Sequence, residues 1–127
     1  MIKKSVSMIV GIFVFGAFAL QAEEIQSDSK MPAMPDNVKV VIEKSCFGCH
    51  NADSKNDKAK EKLDFKAFDT LTKPQMIHAM KEIEKTVVEN EMPPAKFLER
   101  FPDKKLSDAE KKILLDWASS QSKSLFK

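Results

Sequence analysis

The apolar positions of this chain are unevenly spaced, and the spacing divides it into segments. Residues 8–20 are almost continuously apolar, whereas residues 23–35, EEIQSDSKMPAMP, are polar and broken by prolines, as in a leader without regular structure. From Val38 the spacing turns to three and four. Val38, Val41, Ile42 and Ser45 form one stripe of a helix that Asp36 can cap after Pro35, and this helix runs straight into Cys46. Residues 51–62, NADSKNDKAKEK, hold nothing apolar larger than alanine and read as a solvated loop. LDFKAFDTL then offers Leu63, Phe65, Phe68 and Leu71 to a core, as a short helix.

A longer helical period runs from Lys73 to about Asn90. Thr72 caps it, and Pro74 falls in the first turn, where its missing N–H costs nothing. Met76, Met80, Ile83 and Val87 share one face with Ala79 and Ile77 beside them, while His78, Lys81, Glu82, Lys85 and Glu89 lie on the other. Pro93 and Pro94 cannot continue the helix. AKFLERFPDKK reads as an irregular connection that buries Phe97, Leu98 and Phe101. Ser107 and Glu110 then make a capping box for a last helix, whose apolar face is Ala109, Ile113, Leu114, Trp117 and Ala118. No segment alternates as a strand does, and no repeat is present. The expected fold is all-α, three main helices plus a shorter one.

The first apolar run changes the domain division. Lys3 and Lys4 precede it and small residues close it, the order of a secretory signal peptide, with cleavage expected after Ala22. The run is short for a membrane-spanning helix, which needs about 20 residues, so an uncleaved tether to the inner membrane is the alternative. The expected division is a signal peptide (1–22), a flexible leader (23–35) and one domain (36–127). The formal charge of the whole chain is +2. Loss of Lys3 and Lys4 makes the exported protein neutral, with mixed charges and no basic stripe, which argues against nucleic-acid binding.

Export also bears on the two cysteines, because free thiols do not persist in an oxidising compartment. Both lie in KSCFGCHNAD, residues 44–53, as Cys46-Phe-Gly-Cys49-His50. The pattern C-x-x-C-H in an exported protein is the attachment signature of c-type haem. Two sulfurs one helical turn apart reach one edge of a flat ring and form thioethers to its vinyl groups. His50 then points under the ring to bind iron. Gly48 permits close approach of the backbone to the ring. A thioredoxin-type disulfide would want a preceding strand and a βαβ context, and tetrahedral zinc would want two further ligands.

The sixth iron position has two kinds of candidate. His78 is the second and last histidine of the sequence, and its charged neighbours place it in solvent. Met76 and Met80 have the spacing of core residues, and Met31 and Met34 lie in the leader. Met92 leaves a helix end stiffened by Pro93 and Pro94, from which a thioether can reach the ring opposite His50.

These features resemble class I c-type cytochromes, and more closely the small haem-binding-domain proteins related to cytochrome c. SCFGCHN, LDF, VVENEMPP and LSDAEKKILLDWA carry the resemblance, over residues 38–120. It implies a cytochrome c-like fold around one haem c, covalently held by Cys46 and Cys49, with His50 and Met92 as axial ligands. The lysine-rich stretch after the motif departs from the proline- and tryptophan-containing one of that family, so the haem edge would be covered differently.

The function expected is that of a periplasmic, monomeric one-electron carrier rather than an enzyme. Trp117, Phe65, Phe68, Phe97 and Phe101 can supply an apolar wall, although packing is the main role expected of them. The carrier's partner would be another redox protein. Lys55, Lys58, Lys60 and Lys62 could steer an acidic one, although the interleaved Asp53, Asp57 and Glu61 favour a plain solvated surface. The rival expectation is a haem protein with an open or labile sixth position, acting as a sensor or a peroxidase-like enzyme. A thiol oxidoreductase is the third class.

Overall fold

The structure is a computed structural model that describes residues 34–127, so the expected signal peptide and nearly all of the leader lie outside the described residues. Within them the protein is helical: α1 (Asp36–Ser45), α2 (Asp57–Lys62), α3 (Lys73–Val88), α4 (Ala95–Arg100) and α5 (Asp108–Leu125), with 3-10 turns at Phe65–Thr70 and Pro102–Lys104. The three long helices match the three read from apolar spacing. No helix among the described residues is long and apolar enough to cross a membrane.

α5 is the centre of the packing, lying against α3 along its length and against α1. The N–H of Glu110 donates to Ser107 Oγ at 3.2 Å, and the Glu110 carboxylate accepts from Ser107 N–H at 2.8 Å. This closes the capping box and satisfies donors that the first turn would leave open. α3 opens in the same way, with Gln75 reaching back to Thr72. The two helices run antiparallel. Lys111 at the start of α5 donates to Asn90 just past α3, and Lys81 of α3 lies over the Phe126 ring just past α5.

α1 presents Val38, Val41 and Ile42 to this pair, and Met76, Met80, Val87, Leu114, Trp117 and Ala118 fill the contact from the other side. At its C-terminal end Lys44 forms an ion pair with Glu110 at 2.7 Å and donates to the Lys105 carbonyl at 3.0 Å. The residues entering the cysteine motif are thus fastened to the start of α5.

Several local expectations are corrected. Residues 51–62 are not all loop. Asn56 accepts from Ala59 N–H and caps α2, which buries only Ala59 and therefore carries no apolar stripe to read. Asp36 is the first residue of α1 rather than its cap, a position Pro35 takes. The connection after Pro94 contains α4, which buries none of its residues fully. Phe97 and Leu98 are half-buried, and Phe101 is exposed, stacked on Phe97 at 5.0 Å. Ala109 is exposed in the first turn of α5.

Candidate functional site

The cysteine motif follows α1 as a run of turns. Cys46 N–H still bonds to the Ile42 carbonyl at 2.8 Å, and His50 N–H reaches back to the Cys46 carbonyl at 3.1 Å, so the motif is wound as a further helical turn. Cys46, Cys49 and His50 are half-buried. Gly48 is exposed, and a Cβ added there would meet nothing within 4 Å.

Asn51 locks this turn. It is 8% exposed, donates through Nδ2 to the Phe47 carbonyl inside the motif, and accepts from Asp53 N–H at 2.9 Å. Both ends of its amide are engaged by backbone, the arrangement of an Asx-turn wrapped around the site.

His50 is oriented from the following segment. Its Nδ1 lies 3.2 Å from the Leu63 carbonyl, while Phe65 N–H donates to the His50 carbonyl at 3.0 Å. A carbonyl only accepts, so Nδ1 carries the proton and the Nε2 lone pair is left for a metal. Metal-binding histidines are commonly held and tuned through the second ring nitrogen in this way.

Further along the chain, the end of α3 delivers Met92. Asn90 adopts the left-handed conformation at φ 54°. Its N–H bonds to Val87 O at 3.3 Å and Glu91 N–H bonds to Thr86 O at 2.9 Å, the paired bonds of a Schellman motif. The Asn90 side chain accepts from Lys111 at 2.7 Å, tying the turn to α5. Met92 follows, half-buried, before a cis bond to the buried Pro93.

Cys46, His50 and Met92 meet in the lining of one cavity of about 650 Å³, walled by Ile42, Leu63, Phe65, Leu106, Leu114 and Trp117. That volume is in the range of cofactor pockets. Cys49 lies outside this lining. So do Phe97 and Phe101, two of the aromatic residues the sequence offered as a wall. Phe68 stands behind the wall, stacked between Phe65 and Trp117 at 5.6 and 5.7 Å.

His78 is exposed as expected, yet it also lines this cavity, together with Glu82 and Lys85 from the same helix flank. It sits ten residues before the end of α3, about 15 Å along the axis from the end that delivers Met92, at about 1.5 Å per residue. His78 and Met92 therefore mark different parts of the cavity. Met76 and Met80 are core residues, 2% and 0% exposed.

The donor set suits haem: an imidazole with a free Nε2, a thioether, a thiol at the edge and an apolar wall. One further detail fits a group with polar substituents. Trp117 Nε1 is buried and has no hydrogen-bond partner among the described residues, an omission that costs about 1–3 kcal/mol unless something fills it. By contrast, the Cys46 thiol is poorly suited to disulfide exchange. Burial, and secondarily the neighbouring Cys49, pushes the Cys46 thiol up to about 11, whereas oxidoreductase cysteines have lowered values.

Along α2 the lysines are interleaved with acids. Lys60 pairs with Asp57 at 2.7 Å, and Lys66 pairs with Asp53 across the adjoining turn.

Four features of the site were not read from the sequence. The Leu63 carbonyl is backbone and leaves no side-chain signal. Asn51 and Asn90 do leave one, as an Asx-turn residue after the motif and an asparagine at a helix C-terminus. The unpaired Trp117 N–H follows only from packing.

Among known families, the chain matches a model described as a haem-binding domain over residues 52–120. The span includes Met92, α3 and most of α5 and begins just after His50, so the cysteine motif and the match are separate observations. No curated protein and no solved structure matches.

Proposed function

This chain belongs to the haem-binding domain family, and on that premise we propose that it is a single-haem c-type cytochrome that carries electrons. Cys46 and Cys49 are the thioether residues, and His50 and Met92 are the axial ligands. The observation that supports this reading best is the meeting of Cys46, His50 and Met92 in one cavity. A bound haem c supplies one-electron exchange between ferric and ferrous iron.

The protein's own residues prepare for that exchange. Leu63 holds the His50 ring with Nε2 free, so binding iron needs no change of tautomer. The Schellman turn at Asn90 fixes where Met92 leaves α3. Methionine as sixth ligand raises the potential relative to a second histidine. Phe65, Leu106, Leu114 and Trp117 give the site an apolar wall. With both axial positions filled by protein no place is left for a substrate, which favours a carrier over an enzyme.

The proposal extends to the setting. The protein is exported to the periplasm with cleavage after Ala22, works as a monomer, and meets another redox protein as its partner. Haem staining of a denaturing gel tests covalent attachment. Stain that stays with the polypeptide, and is lost in a Cys46→Ser/Cys49→Ser variant, is expected. A stain that washes out contradicts thioether attachment. Carbon monoxide binding at once to the ferrous protein contradicts the filled sixth position and favours a sensor or peroxidase-like role.

A further inference from the structure

A second cavity, of about 350 Å³, lies between α1, α3 and α5, and its apolar lining includes Met34, Phe47, Phe68, Met76, Met80 and Trp117. Lys39, Glu43 and Asp69 also line it and are exposed, so it opens to solvent on their side. Its volume equals the liquid share of roughly ten waters, at about 30 Å³ each. Water filling it would wet a wall of thioethers and aromatic rings, which the hydrophobic effect opposes. Ile42, Phe65 and Trp117 line both this cavity and the larger one, so whatever fills it also backs the wall of the site.

The nearest apolar group available is the chain itself. Met34 is the first described residue, and it packs half-buried against the core where it lines this cavity. Pro35 after it has φ −59° and ψ 148°, the polyproline II conformation. The sequence repeats that chemistry as Met31-Pro32-Ala33-Met34-Pro35. Each of these methionines precedes a proline, which steers it away from helix toward extended backbone. At three residues per turn, positions 31 and 34 share one side, about 9 Å apart. The cavity runs from Lys39 to Phe47 along α1 and the turn after it, about 12 Å at about 1.5 Å per residue. Two methionines in that register fit its length. Tethering adds to the fit, since a segment joined to its site by a short link acts at an effective concentration of about millimolar.

We propose that the end of the leader, Met31-Pro32-Ala33, turns back along α1 and seats the Met31 side chain in this cavity beside Met34. The leader then completes the core from outside the helices and supports the shared wall of Ile42, Phe65 and Trp117 from behind. Thioether against aromatic ring is a favourable contact, and a flexible methionine suits an irregular gap.

Methionine labelled with ¹³C at the methyl group tests this by magnetic resonance of the reduced protein, with Met31→Leu identifying the Met31 signal. The Met31 methyl is expected to show through-space proton contacts to Met76, Met80 or the Trp117 ring. A Met31 methyl at its unfolded-chain shift without such contacts overturns the proposal. So do contacts from those residues to a bound small molecule instead. In denaturant, Met31→Glu is expected to lower the folding equilibrium constant about tenfold, the weight of one buried methionine side chain, with Met31→Leu and Ser29→Glu close to wild type. Equal stability of Met31→Glu and Ser29→Glu overturns the proposal as well. If Met31→Glu does not accumulate, the wild-type contacts decide alone. None of these readouts depends on what fills the larger cavity, so a protein without haem would defeat the electron-carrier reading and leave this inference to its own test.

Discussion

The Nδ1 of His50 lies 3.2 Å from the carbonyl oxygen of Leu63, thirteen residues further along the chain. The acceptor is backbone, so the side chain at position 63 is not what orients the imidazole. Leu63→Ala is expected to lose packing, about 1–2 kcal/mol for a half-buried leucine, with an unchanged low-spin spectrum. His50→Ala is expected to leave haem attached but turn the spectrum high-spin. Denaturant unfolding and absorption spectra of the two variants check this pair of outcomes.

Asn51 commits both ends of its amide to the motif's backbone, to the Phe47 carbonyl and the Asp53 N–H. Asn51→Ala leaves the Phe47 carbonyl and the Asp53 N–H without this partner, at about 1 kcal/mol for each lost bond. Asn51→Asp keeps the acceptor but loses the donor and sets a carboxylate against the Phe47 carbonyl. Both variants are expected to unfold at lower denaturant and to yield less haem-attached protein, with Asn51→Asp no better than Asn51→Ala. Wild-type yield and stability in both would show that the turn does not depend on this side chain.

Asn90 combines a left-handed backbone with a side-chain bond to Lys111. Glycine adopts φ 54° without strain, so Asn90→Gly is expected to keep the turn and lose only two exposed side-chain hydrogen bonds, from Lys111 and to the Val88 carbonyl. For a β-branched residue that conformation costs about 1–2 kcal/mol. Asn90→Val should therefore loosen the Met92 segment before the rest of the protein. On heating, the methionine–iron band of Asn90→Val is expected to vanish below the wild-type temperature, with Asn90→Gly close to wild type. Equal behaviour of the two variants would show that the conformation of residue 90 does not hold Met92.

Glu110 has a lowered pKa, mainly through its hydrogen bond from Lys44 and next through the Ser107 N–H. A carboxylate whose folded pKa is depressed contributes stability above its unfolded value, here near 4.5, and loses it as pH falls through the folded value. Glu110→Gln keeps a capping partner for Ser107 but removes the charge. It is expected to cost about 1 kcal/mol at neutral pH, with the gap to wild type closing below pH about 4.5. Unfolding midpoints across that range measure the closure, and a gap independent of pH would contradict it.

What the sequence disclosed depended on whether an element buries a face. α3 and α5 each place apolar side chains at helical spacing against the other, and both were legible with their caps. α2 and α4 bury almost nothing and left no stripe, although Asn56 before Asp57 was a readable cap for α2. The motif residues and Met92 were visible as chemistry, but their meeting in one cavity required the fold. His78 shows the limit of the helical wheel. It does lie off the core face of α3, yet the cavity opens along that flank and reaches it.

The ferric absorption spectrum of wild-type protein beside Met92→Ala tests the central claim, iron held between His50 and Met92, most directly. The expected result is a weak near-infrared band in the wild type that disappears in Met92→Ala, with covalent haem retained in both. A wild-type spectrum without that band, or an unchanged low-spin spectrum in Met92→Ala, would contradict it.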